Sequence, residues 1–210
     1  MHYRVPRLIA VLLLLGVLVV EGLADTPRIL VLGDSLAAAY GIKKEEGFVA
    51  KLQTRITKAG MNYEVVNGGV SGDTTAGGLR RINWLLKKPV DVLLLELGGN
   101  DGLRGISPAE TRRNLIGIID KTRARFPEVK VILAGMQMPP NMGREFTEAF
   151  AKIFPEVAKE KETALVPFLL EGVGGDPEYN LPDLIHPTPE GHSIVADNVW
   201  KVMEGVLKAD

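Results

Sequence analysis

Arg28-Ile29-Leu30-Val31-Leu32-Gly33-Asp34-Ser35-Leu36 is an apolar run that stops at glycine and passes directly into two polar residues. A continuous run of this kind is the pattern of a strand buried on both faces, in contrast to the alternating pattern of a half-exposed one. Downstream, residues 62–67 carry Tyr63, Val65 and Val66, residues 90–97 read Val-Asp-Val-Leu-Leu-Leu-Glu-Leu, and residues 129–136 form a fourth such run. A fifth, at 164–168, contains Pro167, which lacks an N–H for a ladder and so restricts the run to a strand end or a sheet edge.

Helical patterns fall between these runs. The spacing predicts a helix over 107–126 in which Ser107 caps, Pro108 takes the first position and Glu110 completes a capping box; Leu115, Ile118, Ile119, Thr122 and Phe126 share its apolar face. Phe146, Phe150, Ile153 and Val157 repeat at helical spacing, with Pro155 expected to kink or split that helix. A last helix is opened by Thr188 and Pro189, with Val195, Val199, Val202 and Val206 on its buried side. Strands alternating with helices imply a parallel sheet, because a parallel crossover needs a helix to return the chain. The expected fold is α/β, a three-layer α/β/α sandwich around a mostly five-stranded parallel sheet. No internal repeat or low-complexity linker divides it.

Upstream, Arg4 and Arg7 precede an uncharged apolar stretch from Leu8 to Val20, followed by Gly22 and Ala24. The stretch is 13 residues, against the roughly 20 a spanning helix needs. The layout is that of a secretory signal peptide cleaved after Ala24, with retention as an N-terminal anchor as the alternative. The organisation expected is a signal peptide at 1–24 and one domain at 25–210, acting as a monomer in the periplasm or outside the cell, with no stable membrane span in the mature form. The chain has no cysteine, which excludes a lipid-anchored lipoprotein and a disulfide framework. Without 1–24 it has 23 basic and 25 acidic side chains, so no basic field favours nucleic acid.

Ligands of an open parallel sheet gather beyond the carboxyl ends of its strands. The loops there read Gly33-Asp34-Ser35, Gly69-Val70-Ser71-Gly72-Asp73-Thr74 and Gly98-Gly99-Asn100-Asp101, with Asp183-Leu184-Ile185-His186-Pro187 before the last helix. A serine hydroxyl needs an adjacent base to become a nucleophile at neutral pH. His186 is suited to that task, because it stands in a loop with Asp183 three positions away to orient its ring; His192 falls within the last helix and reads as a packed or solvated side chain. Acyl transfer also builds charge on the carbonyl oxygen, for which the Ser35 N–H, the Gly72 N–H and the Asn100 amide are candidate donors. Each residue has a plainer reading. Ser35 could cap a helix, Asp34 and Asp101 could brace loops, and Gly33, Gly69 and Gly98 could serve tight turns.

Taken together, Gly-Asp-Ser-Leu at 33–36, Gly72, Gly98-x-Asn100-Asp101 and Asp183-x-x-His186 resemble the four signature blocks of the SGNH (GDSL) hydrolase family, whose sheet is flavodoxin-like. Ser71-Gly-Asp-Thr74, the stretch from Leu97 to Gly105 and the segment from Pro140 to Arg144 are similar to its bacterial periplasmic thioesterase I, protease I, lysophospholipase and arylesterase subgroup. The resemblance implies a serine ester hydrolase that acts through an acyl-enzyme and without a cofactor or metal. Ser35, Asp183 and His186 would form its catalytic triad, and Ser35, Gly72 and Asn100 its oxyanion hole. Acyl esters, thioesters or lysophospholipids are the expected substrates, with Ile106, Met136, Met138, Pro139, Pro140 and Met142 as walls of an apolar groove. Leu184 stands where this subgroup often has a small residue, and the glycines between Glu171 and Leu181 leave the pocket shape open.

Other readings remain in view. A carbohydrate O-deacetylase or a non-catalytic lipid- or carbohydrate-binding module would share this fold. A metal-dependent phosphoesterase would have to draw on Asp34, Asn100, Asp101 and His186, a set poor in histidine for two metals. The Gly-x-Ser-x-Gly elbow of α/β-hydrolases and the glycine-rich loops of nucleotide-binding proteins are absent.

Overall fold

The computed structural model describes residues 26–209, so the expected signal segment at 1–24 lies outside the described residues. Five strands form one sheet: β1 (Arg28–Gly33), β2 (Glu64–Asn67), β3 (Val92–Glu96), β4 (Lys130–Ala134) and β5 (Ala164–Val166). Their order is β2-β1-β3-β4-β5 and every neighbouring pair is parallel. Helices α1 (Phe48–Lys58), α2 (Thr75–Leu85), α3 (Gly99–Leu103), α4 (Pro108–Arg125), α5 (Arg144–Glu160) and α6 (Pro189–Lys208) complete the chain. α1 packs on α6 while α2, α4 and α5 pack in series, giving the three-layer sandwich. No helix among the described residues is long and apolar enough to cross a membrane.

All five strands lie where the apolar runs are, with ends trimmed for identifiable reasons. β2 is an edge strand whose first pairing sets Glu64 against Arg28, and the Glu64 N–H reaches back to the Pro27 carbonyl at 2.9 Å, so Asn62 and Tyr63 have no strand to pair with. β5, the other edge, stops at Val166, immediately before the proline.

In α4 the Ser107 hydroxyl accepts the Glu110 N–H at 3.2 Å, and Thr111, Leu115, Ile118, Ile119 and Thr122 are its buried face. α5 is continuous from Arg144 to Glu160, so Pro155 does not split it. An interior proline costs a helix about 3 kcal/mol, whereas each fully buried large apolar side chain contributes about 1.5–3 kcal/mol. Phe150, Ile153, Phe154 and Val157 are all buried on either side of it, and their packing wins. α6 begins as expected, with the Thr188 hydroxyl accepting the Gly191 N–H at 3.2 Å. Its buried stripe is rotated from the expected one: Val195 and Val199 are buried, but Met203 and Leu207 replace Val202 and Val206, which are only partly covered. The expected valines follow the 3.6-residue period from Val195, whereas Val195, Val199, Met203 and Leu207 are spaced by four, so the covered face drifts around α6 along its length.

Candidate active site

The carboxyl ends of β1, β2 and β3 bring three loops together beside the segment before α6. Ser35 follows β1 in a run of turns, with Ala38, Ala39 and Tyr40 N–H groups bonded to the Asp34, Leu36 and Ser35 carbonyls. It caps no helix, since α1 begins only at Phe48. The turn is braced by Asp34 Oδ1, which accepts the Leu36 N–H at 3.0 Å.

The segment carrying Asp183 and His186 is closed at its base by an isolated antiparallel bridge between Asn180 and Pro187. Within it the Leu181 N–H donates to the His186 carbonyl at 2.7 Å, and Asp183 Oδ1 accepts the N–H groups of Ile185 at 2.9 Å and His186 at 3.0 Å. Drawing both N–H groups onto one carboxylate folds the chain tightly enough to place Leu184 in the left-handed region at φ 58°. A γ-branched residue there is strained, and its side chain stays about half exposed at the cleft.

The three side chains form a chain of contacts. Asp183 Oδ2 lies 2.7 Å from His186 Nδ1, and His186 Nε2 lies 3.0 Å from Ser35 Oγ. Desolvation would lift the Asp183 pKa, but the hydrogen bonds from the His186 and Ile185 N–H groups and the His186 ring outweigh it and hold it down to about 2. A carboxylate at this position can only accept, so Nδ1 carries the imidazole proton and Nε2 is left to accept the Ser35 hydroxyl proton. The Tyr40 ring covers one face of the imidazole, with centroids 4.5 Å apart.

The three candidate oxyanion donors converge from different strands. Neither the Ser35 nor the Gly72 backbone N–H is engaged by another group among the described residues. Gly72 has φ 78°, and a Cβ there would meet only Arg104 at ordinary contact distance, so backbone conformation rather than crowding requires glycine. The Asn100 amide is fixed at both ends. Its Nδ2 donates to Asp34 Oδ2 at 3.0 Å, and Arg104 Nη2 reaches both Asn100 Oδ1 at 3.4 Å and the Gly72 carbonyl at 3.0 Å. Asp101 lies behind this group, fully buried, and accepts the Thr75 N–H at 2.8 Å together with the Thr75 and Thr111 hydroxyls; it braces the start of α2.

Beside Ser35 opens a cleft of about 500 Å³. Met136, Met138, Pro139 and Pro140 line it as expected; Ile106 and Met142 do not. Ile106 is tied back to the Asp101 carbonyl ahead of α4, and Met142 ends a short 3₁₀ turn (Pro140–Met142) that presents only its first residue to the cleft. Leu103, Phe168, Leu170, Leu184 and Ile185 complete the apolar wall, with Gly174 and Gly175 from the glycine-rich loop. Among the described residues no three His, Cys, Asp or Glu side chains gather as a metal-ligand set. His192 is only 1% exposed and away from the cleft, accepting the Phe48 N–H on Nδ1 at 3.2 Å.

Tyr40, Arg104 and Glu96 were not singled out by the sequence. Glu96 did carry a signal, as an acid inside a run otherwise buried on both faces.

Comparison with known proteins agrees with this architecture. The model of the "GDSL-like Lipase/Acylhydrolase family" matches residues 31–194. The chain is 45% identical over 186 residues to Esterase TesA of Pseudomonas aeruginosa, covering 88% of this chain and 91% of that protein. It is 37% identical over 188 residues to "Thioesterase 1/protease 1/lysophospholipase L1" of Escherichia coli K12, covering 89% and 87%. A crystal structure of TesA superposes with a TM-score of 0.82 at 44% identity, covering 85% of this chain and 99% of that one.

Proposed function

This chain belongs to the GDSL-like lipase/acylhydrolase family and is a hydrolase of ester bonds, and from that premise we propose that it is exported and cleaves acyl esters, acyl thioesters or lysophospholipids through an acyl-enzyme on Ser35. The observation that carries the reading is the contact chain from Asp183 through His186 to Ser35 at the mouth of an apolar cleft. In the first half-reaction Ser35 Oγ bonds to the acyl carbon as its proton passes to His186 Nε2. The tetrahedral oxyanion sits against the Ser35 and Gly72 N–H groups and Asn100 Nδ2, and its collapse expels an alkoxide or thiolate that takes the proton from His186. In the second, water adds to the acyl-enzyme, His186 removes its proton, and the carboxylic acid leaves with Ser35 restored. Asp183, ionised throughout, stabilises the imidazolium in both halves.

The cleft wall supports a hydrophobic acyl group over an acetylated sugar. With p-nitrophenyl esters and acyl thioesters of increasing chain length, kcat/KM is expected to rise with each methylene that enters the cleft, by up to about fourfold. A maximum at acetyl, with no gain from longer chains, would favour a deacetylase instead.

Export rests on the charged, then apolar, then small-residue layout of 1–24. Mass spectrometry of the protein purified from the cell is expected to find Asp25 as its first residue. Recovery of the active protein with Met1 intact at the membrane would replace cleavage by retention as an anchor.

A further inference from the structure

Behind the nucleophile lies a pair of acids that the two half-reactions above do not use. Glu96 ends β3 and is fully buried; Asp34 follows β1 and is 2% exposed. The strand register sets Gly33 directly beside Glu96, and a Cβ at Gly33 would overlap Glu96 Oε2, so the missing side chain makes room for the acid. Glu96 Oε2 accepts the Asp34 N–H at 3.1 Å, so the two carboxyl groups share one buried space beside the Gly33 backbone. Two carboxylates in one buried space would repel each other, which favours a pair that holds at least one proton.

The surroundings decide where that proton resides. Asp34 accepts the Leu36 N–H and Asn100 Nδ2 on its two oxygens and lies in the field of His186. Glu96 is fully buried, and its Oε1 has no hydrogen-bond partner among the described residues. Asp73 is the remaining acid in the neighbourhood, and it is paired with Arg81 at 2.7 Å, whose Nη2 reaches the Gly33 carbonyl at 3.0 Å. Ionisation is therefore cheaper at Asp34. Burial first, and then the charge of Asp34, push Glu96 well above the ordinary carboxylate range; burial lifts Asp34 itself to about 6, against the opposing pull of its donors.

We propose that Glu96 and Asp34 are positioning residues for the oxyanion donor: Glu96 retains its proton and donates it to the Asp34 carboxylate, which in turn holds the Asn100 amide in place. The assignment rests on the reading of Asn100 as an oxyanion donor. An amide left to choose its own rotamer would have to be re-aimed in every turnover, whereas one bonded to a fixed carboxylate through one N–H keeps the other directed at the reacting oxygen. A protonated acid as the last link has a physical reason. A neutral amide or hydroxyl would serve as a donor, but an ionised Glu96 would set two like charges together in a buried space and drive them apart.

The tests separate this from a brace for the Leu36 turn. Asn100→Ala is expected to lower kcat by about 10²- to 10³-fold. Asp34→Asn, which keeps the shape but weakens the grip on Asn100, should lower kcat by roughly 10- to 100-fold with KM changed less than about threefold. In the Asn100→Ala background the same Asp34→Asn change should cost less than about twofold, because its partner is already gone. Effects that multiply, or a loss confined to KM, would overturn the role. The proton is read independently of turnover by infrared spectroscopy of the wild-type enzyme at neutral pH. A protonated carboxylic acid band should shift when glutamate, and not aspartate, is labelled with ¹³C, and should vanish in Glu96→Gln. Absence of the band, or its shift with labelled aspartate, would overturn the proton assignment even where Ser35 and Asn100 behave as described.

Discussion

Ser35→Ala is expected to abolish ester hydrolysis, with a loss on the order of 10⁶-fold in kcat, in a protein that remains folded. The reason lies in what the hydroxyl touches. Its bond is to His186 Nε2, while the turn that carries it is held by Asp34 Oδ1 on the Leu36 N–H and by backbone bonds from Ala38 to Asp34 and from Tyr40 to Ser35. Removing one oxygen from a partly exposed side chain therefore leaves the β1 end intact and takes away the atom proposed to bond to the acyl carbon. What survives should be the modest acceleration due to substrate binding and the oxyanion donors. A fluorophosphonate should label the wild type at Ser35 and leave the variant unlabelled, with unchanged circular dichroism and thermal midpoint. Turnover within tenfold of wild type, or labelling at another serine, would sink the assignment.

The residues on which this prediction depends were legible because the fold concentrates its chemistry where the pattern is plainest. Runs buried on both faces, such as Ile29 to Leu32 and Val92 to Leu95, announce a parallel sheet, and a parallel sheet gathers its loops at one edge. Polar residues directly after such runs, as at Ser35 and Asn100, were then already marked as neighbours. Glu96 was harder to read, since its meaning depends on Asp34, which lies 62 positions earlier. Only the pairing of β3 with β1, skipping β2, brings the two together, and nothing in chain order announces that adjacency. Arg104 and Tyr40 were hidden for a related reason: each acts through a side chain crossing to another loop, and charge or aromaticity alone does not say which way it will cross. The cleft wall was half legible. Met136 and Met138 look no different in sequence from Ile106 and Met142, since an apolar side chain in a loop can close the core or face a ligand, and the local turns at Asp101 and Pro140 make that choice.

The two histidines of the described chain should respond in opposite ways to substitution. His186→Ala is expected to be as damaging as loss of the serine, because the proposed nucleophile and base would act as a unit, whereas His192→Asn should keep turnover. His192 Nδ1 accepts the Phe48 N–H, so protonating that nitrogen would set two donors against each other. Burial, with lesser contributions from Lys51 and His186, accordingly brings its pKa from 6.5 down to about 4. The folded state then binds fewer protons than the unfolded chain between those two values. Stability contributed by neutral His192 is present above about 6.5 and is lost as pH falls toward about 4, a loss of roughly 3 kcal/mol when complete. Asp34 and Glu96 work in the other sense over part of that range, since their raised pKa values make the folded state hold protons that the unfolded chain releases. The wild-type profile alone would blend all three, and the difference between wild type and His192→Asn isolates the histidine. Denaturant midpoints measured from pH 7 to 4 should fall less steeply in the variant, whose amide oxygen can still accept the Phe48 N–H. Parallel profiles would mean that His192 titrates normally, and an inactive, well-folded His192→Asn beside an active His186→Ala would exchange the roles of the two residues.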